Sequence, residues 1–233
     1  MSRREDLERF YALLESLRSR LGGPHLLMSC HGRLGWPKRG VYFFFEDGET
    51  RPGSLAARVV RVGTHAVSTG SETKLWHRLR QHRGSGSKDG SPGAGNHRGS
   101  IFRHHVGDAL LRAGRSPVDI KSTWSAKEVA RHDVKALEEP LEQLVSETIG
   151  RMPFLWVEAD DEPGPLSIRS VLERNSIGLL SGAESPSPGW LGHHASSQHV
   201  RQSGLWNIGY TGHVHEPGFL ELLDQRILAT SSR

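Results

Sequence analysis

The chain has 233 residues, a formal net charge of +4 at neutral pH, 27 glycines and 12 prolines. One cysteine, Cys30, excludes an internal disulfide and a CxxC centre, and it agrees with a reducing, cytoplasmic location. The sequence contains no apolar signal core and no run of about 18 apolar residues, which a membrane span would need. We therefore expect one sizeable core with long loops, and no membrane role.

The first predicted element is an amphipathic helix over residues 4–21. Its leucines and one phenylalanine recur every three to four residues, and a pair of glycines at positions 22 and 23 ends it. We interpret residues 1–24 as a docking helix that is appended to a main domain over residues 25–233.

An aromatic run at residues 40–45 and a β-branched run at residues 57–62 predict two strands of a hairpin, with a turn at residues 46–49. Residues 152–158 predict a further strand, and residues 181–204 a loop rich in Ser, Gly and Pro. Apolar spacing predicts helices over residues 72–82, about 100–114, about 133–149 with a kink or split at Pro140, 165–180, and 217–228.

Basic and acidic residues are concentrated in different parts of the chain. Residues 74–103 carry seven Lys or Arg against one acidic residue, whereas residues 133–173 carry ten Asp or Glu against three basic residues. A basic stretch predicts contacts with nucleic acid, and solvated surface charge is the alternative. The glycine-rich segment 83–99 is predicted to be a flexible loop that follows phosphates. The predicted nucleic-acid contacts are Lys74, Arg83, Lys88, Arg98 and Arg103.

Several common chemistries are excluded because their motifs are missing. The sequence has no GxxxxGK[ST] phosphate loop, no GxSxG nucleophile turn and no HExxH zinc motif. Its 14 histidines therefore do not by themselves predict a zinc site.

The remaining signal is an ordered set of polar residues. A predicted strand contains a Gly-Val-Tyr run ending at Tyr42, the next strand ends in an Arg-Val-Gly run beginning at Arg61, and a helix carries Arg78 and His82 four residues apart. This order resembles the GIY-YIG nuclease superfamily, and the histidine resembles that of its restriction-enzyme-like branches.

Two later segments extend the resemblance. A helix resembles the one that carries the family's metal-binding glutamate, here Glu173, and a Ser-Gly-Leu-Trp-Asn run resembles the segment with its terminal asparagine, here Asn207. The resemblance covers about residues 40–207 and implies an α/β (α+β) fold, a small, mostly antiparallel three-stranded sheet flanked by helices. The N-terminal helix and a helical insertion at about 115–165 would be additions. The family usually has tyrosine where this chain has Arg61.

These residue types suit phosphodiester hydrolysis, which is so slow without catalysis that several effects must combine. Glu173 would hold Mg²⁺ or Mn²⁺, because Mg²⁺ needs only one or two protein carboxylates. Tyr42 would be the general base if Arg61 and His82 favour its phenolate. Arg78 would clamp a phosphate oxygen through its planar fork. We expect these residues to converge on one patch.

The predicted function is endonucleolytic cleavage of DNA, expected to be double-stranded, in the cytoplasm. Arg61 also fits an alternative, a nucleic-acid-binding module of the same fold that does not cleave. A third class, a small-molecule-binding protein or a metal-dependent hydrolase unrelated to nucleic acid, is favoured if residues 83–99 lie far from Tyr42. Glu147 is the alternative metal carboxylate. The oligomeric state is left open, a homodimer included.

Overall fold

A four-stranded antiparallel sheet forms the centre of the protein in this computed structural model. The structure describes residues 2–85, 93–126 and 132–232. The strands, in the spatial order β1-β4-β2-β3, are β1 (His25–Leu26), β2 (Gly40–Thr50), β3 (Ala57–Gly63) and β4 (Pro153–Glu158). The mixed α/β class is confirmed, but the expected number of three strands is wrong. The additional strand, β1, has two residues, too few to show an alternating pattern in the sequence.

Helices surround this sheet in the described part of the chain. They are α1 (Arg3–Arg20), α2 (Leu75–Arg83), α3 (Ile101–Arg112), α4 (Lys121–Trp124), α5 (His132–Gly150), α6 (Ile168–Leu180), α7 (Gln198–Ser203) and α8 (Phe219–Ala229). Helix α7 lies in residues 181–204, which were expected to form a loop throughout. No helix among the described residues is long and apolar enough to cross a membrane.

Both faces of β2 are covered by helices, which explains its uninterrupted aromatic run. On one face, the ring of Phe43 lies 5.8 Å from that of Phe10 in α1, measured between centroids. On the other face, the ring of Phe44 lies 5.6 Å from that of Phe102 in α3. Because side chains alternate along a strand, Tyr42 shares the face of Phe44 and points towards α2 and α3.

The β2–β3 hairpin is longer than predicted. The turn predicted at residues 46–49 is wrong, because β2 continues to Thr50 and the chain turns at residues 51–56. Glu49, which was interpreted as a turn residue, is 3% exposed and pairs with Arg58 of β3 at 2.6 Å. A buried partner on the facing strand thus keeps this acidic residue in the sheet.

Two helices differ from their predicted form for local reasons. Helix α5 is not split by Pro140. The proline has no N–H for the carbonyl of Ala136, and Ala136 is exposed, so that this carbonyl is not left in the protein interior. Helix α6 begins after Ser167 and not at Pro165, because the Ser167 hydroxyl accepts a hydrogen bond from the main-chain N–H of Ser170.

Helix α1 packs against α8, β4 and α6. Its Phe10 ring lies between those of Phe43 and Phe219, at centroid distances of 5.8 and 6.4 Å, so α1 shares the core of the sheet. Strand β4 falls within residues 115–165 and lies between β1 and β2. That part of the expected helical insertion therefore belongs to the central sheet.

A buried ion pair joins α3 to α5. Arg103, which is 0% exposed, donates its Nε hydrogen to Glu142 Oε2 at 3.1 Å and an Nη1 hydrogen to the main-chain oxygen of His82 at 2.8 Å. Glu142 also accepts the main-chain N–H of His97 at 2.6 Å. Burial by itself raises the pKa of Glu142, but the bonds from His97 and Arg103 bring it below its ordinary value.

Replacing Glu142 with glutamine should destabilise the fold, because it leaves the buried Arg103 charge uncompensated. We expect the free energy of unfolding in urea at pH 7 to fall by about 3–5 kcal/mol. Since the folded-state pKa of Glu142 is lowered, this stabilisation is present above the ordinary glutamate pKa and is lost as the pH falls. Glu147→Gln, which breaks the exposed pair with Arg151, is the matched control and should cost about 0–1 kcal/mol. Equal costs for the two variants would contradict this account.

Candidate active site

The site begins where Tyr42 of β2 lies opposite Gly63, the last residue of β3. A Cβ atom at position 63 would lie 2.6 Å from Cε2 of Tyr42, closer than packed atoms allow. The glycine that ends the Arg-Val-Gly run therefore leaves space for the phenol ring. Tyr42 is 0% exposed and its ring extends across β3 towards α2.

His82 of α2 meets Tyr42 directly. The distance from its Nε2 to the Tyr42 Oη is 2.7 Å, and its Nδ1 lies 2.8 Å from the Oγ of Ser100. Burial holds the pKa of His82 well below its ordinary value, and the charges of Arg78, Arg61 and Arg103 lower it further. The imidazole is therefore neutral at pH 7, with one N–H donor and one acceptor nitrogen.

Arg61 of β3 lies inside the site and is 5% exposed. It donates an Nη1 hydrogen to the main-chain oxygen of Trp206 at 2.7 Å, and its guanidinium lies over the Phe102 ring, 4.6 Å from the centroid. Burial lowers the pKa of Arg61, whereas interactions with Tyr42 and Glu173 raise it. This arginine is thus a positive charge that interacts with both the phenol and the carboxyl group.

Glu173 of α6 reaches the same place from the end of β3. Its Oε1 accepts the main-chain N–H of Thr64 at 3.1 Å, one residue beyond Gly63. Burial raises the pKa of Glu173, and the charges of Arg61 and Arg78 oppose that shift. Oε2 accepts no hydrogen bond from the part of the chain that the structure describes.

Arg78 forms the accessible side of the site. It is partly exposed, and its Nη1 donates to Gln81 Oε1 at 2.9 Å and to the main-chain oxygen of Gly99 at 3.4 Å. Both bonds lie at the surface, so a phosphate oxygen could replace them.

Asn207 has a structural position beside Arg61. Its Oδ1 accepts the main-chain N–H of Val62 at 3.1 Å, and its Nδ2 donates to the Val62 oxygen at 2.8 Å. The side chain is 5% exposed and therefore acts as an extra pairing partner for the edge of β3. The structure brings it next to the site, but through the main chain of its neighbour Trp206.

The residues predicted to contact nucleic acid are placed differently from one another. Arg103 is buried in its ion pair with Glu142, and Arg98 is bonded to Glu138 at 2.6 and 2.9 Å. The structure therefore gives Arg103 no surface on which to meet a phosphate. Lys74 is exposed at the start of α2, Arg83 is partly exposed at its end, and Lys88 lies outside the described residues.

Sequence reasoning missed three residues that shape this region. Ser100 holds the second nitrogen of His82, Thr64 holds Glu173, and Arg80 is an exposed cation on α2. Two of them had a usable signal, because a serine directly before an apolar helix is a typical N-cap and Arg80 belongs to the basic stretch 74–103. Glu147, the alternative metal carboxylate, pairs with Arg151 at 2.5 Å near the end of α5.

The carboxyl group of Glu173 fits a hard divalent cation. Among the described residues, no group of three or more His, Cys, Asp or Glu side chains could hold a metal ion. Mg²⁺, however, takes one or two protein carboxylates and completes its shell with water and phosphate oxygens. Glu173 Oε2, which has no partner among the described residues, suits that role, so the donor set fits Mg²⁺ or Mn²⁺ and not a structural zinc.

The sheet, the buried tyrosine–histidine pair and the flanking arginines and carboxyl group define a nuclease-type α/β domain. A family model described as the GIY-YIG domain matches residues 1–233, and the chain belongs to this family. The match includes α1. No curated protein and no solved structure matches the chain.

Adding one methyl group at Gly63 should disturb the whole site. In a Gly63→Ala variant the new Cβ displaces the Tyr42 ring and with it the contact to His82, so we expect a loss of about 1–3 kcal/mol in unfolding free energy. Urea unfolding measures this loss. Gly212→Ala, at a glycine with no neighbouring atoms within 4 Å of the new Cβ, is the control and should be close to the unmodified protein. An unaffected Gly63→Ala protein would show that Tyr42 does not require this close approach.

Proposed function

We propose that this protein is a divalent-metal-dependent endonuclease that hydrolyses phosphodiester bonds in double-stranded DNA in the cytoplasm. The observation that carries the proposal is the buried contact of 2.7 Å between Tyr42 and His82, with Arg61 beside it. A general base at this position would be the Tyr42 oxygen, which lies beside the imidazole of His82 and interacts with the guanidinium of Arg61.

Each residue would have a distinct task. Tyr42 would take the proton of the attacking water, and Arg78 would hold a phosphate oxygen from the open side of the site. Glu173 would hold Mg²⁺ or Mn²⁺, which polarises the phosphate and stabilises the leaving oxygen when it is bound. Tyr42 is 0% exposed, so the proposal requires side chains at the rim, Arg78 among them, to move when DNA binds.

The alternative is a nucleic-acid-binding module without catalysis, which the arginine at position 61 favours. A hydrolase unrelated to nucleic acid has less support, because Ser100, directly after the 83–99 segment, contacts His82 at 2.8 Å. That segment therefore begins and ends beside the site. Incubation with supercoiled plasmid, with and without Mg²⁺, separates these classes, since the binding module would retard the plasmid without nicking it.

Replacing Glu173 with glutamine should abolish cleavage and preserve binding. The amide keeps the size of the side chain but removes the charge that a hard cation requires. We expect plasmid nicking in Mg²⁺ to fall by several orders of magnitude, while the Kd for DNA in filter binding stays unchanged or decreases slightly. Glu147→Gln is the matched control and should nick normally. Near-normal nicking by Glu173→Gln would remove Glu173 from the site.

The exposed end of α2 should contact phosphates. Arg80 and Arg83 line an open pocket of about 600 Å³ beside the main chain of the 83–99 segment. Replacing both with alanine should weaken DNA binding and reduce the slope of log Kd against log salt by up to about 0.9 for each lost phosphate contact. Arg4 and Arg18, exposed on α1, form a control pair with the same change in charge. If both pairs change the slope equally, the effect is one of net charge and not of this surface.

A further inference from the structure

Ser100 connects the candidate site to the start of α3. Its Oγ accepts the main-chain N–H of Arg103 at 3.3 Å, as the N-cap of that helix, and lies 2.8 Å from the Nδ1 of His82. The residue is 1% exposed. Its hydroxyl therefore has to satisfy its hydrogen-bonding capacity inside the protein.

Two hydrogen-bond arrangements are compatible with a neutral His82. In the first, Ser100 donates to Nδ1, and the Nε2 hydrogen is donated to the Tyr42 oxygen. In the second, every direction is reversed, so that Tyr42 donates to Nε2 and the Nδ1 hydrogen is donated to Ser100. The two differ in which ring nitrogen carries the hydrogen, and heavy-atom distances are the same in both.

The two arrangements differ in which hydroxyl hydrogen, that of Ser100 or that of Tyr42, is left without an acceptor. In the second arrangement Ser100 accepts from both His82 and Arg103, and its own hydrogen finds no acceptor among the described residues although the group is buried. In the first arrangement Ser100 donates its hydrogen to His82 and accepts from Arg103, so its own hydrogen is not left over. The hydrogen left over is then that of Tyr42, which a general base has to give up in any case.

We propose that Ser100 is a positioning residue that fixes His82 with its hydrogen on Nε2, so that His82 donates to the Tyr42 oxygen. This role rests on the proposed nuclease function, but the position of the hydrogen can be measured without activity. The Tyr42 oxygen then accepts from His82 and faces the guanidinium of Arg61, an arrangement suited to a phenolate.

The charged groups around the Tyr42–His82 pair are mainly arginines, which are hydrogen-bond donors. Arg61 of β3, Arg78 of α2 and Arg103 of α3 act on His82 with positive charge, and Glu173 of α6 acts on Arg61 with negative charge. An arginine can donate hydrogen bonds but cannot accept them. The arginines therefore offer no acceptor for a Tyr42 hydrogen, whereas they do stabilise negative charge on its oxygen.

The direct test is the state of the His82 ring in solution, from long-range ¹H–¹⁵N correlations of the uniformly labelled full chain. We expect the hydrogen on Nε2 and a bare Nδ1 in the unmodified protein and in Ser100→Thr, which keeps the hydroxyl. Ser100→Gly, which removes the hydroxyl but retains a favourable N-cap, should show a mixture of the two neutral forms. A hydrogen on Nδ1 in the unmodified protein, or an unchanged ring in Ser100→Gly, would overturn the proposal.

Kinetics provide a second readout that a purely structural role would not move. Ser100→Gly should lower kcat for nicking roughly tenfold, part of the ~10²–10⁴-fold that general acid–base groups contribute, and should leave the Kd for DNA unchanged. The rise in its pH–rate profile should shift to a higher pH than in the unmodified protein. Ser100→Thr should restore both properties. Ser2→Ala, at the N-cap of α1, controls for the loss of a cap. If the unmodified protein does not nick DNA, the nuclease proposal fails while the ring measurement still decides the role of Ser100.

Discussion

The hydrogen bond of 2.7 Å between Tyr42 and His82 is the contact on which the rest of the site depends. It requires a strand and a helix to approach closely, and Gly63 permits this because it leaves the space that the phenol ring occupies. Once the ring is there, burial keeps His82 neutral, and a neutral imidazole can present only one hydrogen. The absence of a side chain at one glycine thus permits the contact on which the pair depends.

A second set of buried contacts, made by α3 and α5, fixes the main chain at His82. Arg103 binds the main-chain oxygen of His82, and Glu142 of α5 balances its charge. The arginine also lies against Gly95, where an added Cβ would overlap the guanidinium. The start of α3, the end of α2 and the segment before α3 therefore meet at one cation. Removing one partner of such a pair costs more than the pair contributes, which makes this cluster a constraint on the fold and not a binding surface.

The difference between what the sequence predicted and what it missed follows from the range of each interaction. The ordered run of Tyr42, Arg61 and His82 was recognisable because strand and helix patterns are local, and the structure brings these side chains together. The presence of a charged residue in the sequence, by contrast, does not show with which residue it forms an ion pair. Arg103 was interpreted as a phosphate contact although it pairs with Glu142, 39 positions along the chain, in the interior. Glu46 was interpreted as part of a turn, but it accepts hydrogen bonds from two distant indoles.

The arginine at position 61 changes what β3 contributes to the site. A tyrosine there would offer a hydroxyl that donates or accepts a proton, whereas a guanidinium stays protonated and only donates. Its hydrogen bond to the Trp206 oxygen and its contact with the Phe102 ring fix the position of the guanidinium. Its field acts on Tyr42 and Glu173 together, the two groups that would be negative in the proposed reaction. Because a buried charge acts strongly at short range, Arg61 would stabilise both groups in that reaction without exchanging a proton with either. In the proposed reaction, proton transfer would therefore fall to Tyr42, and Arg61 would support it by its charge.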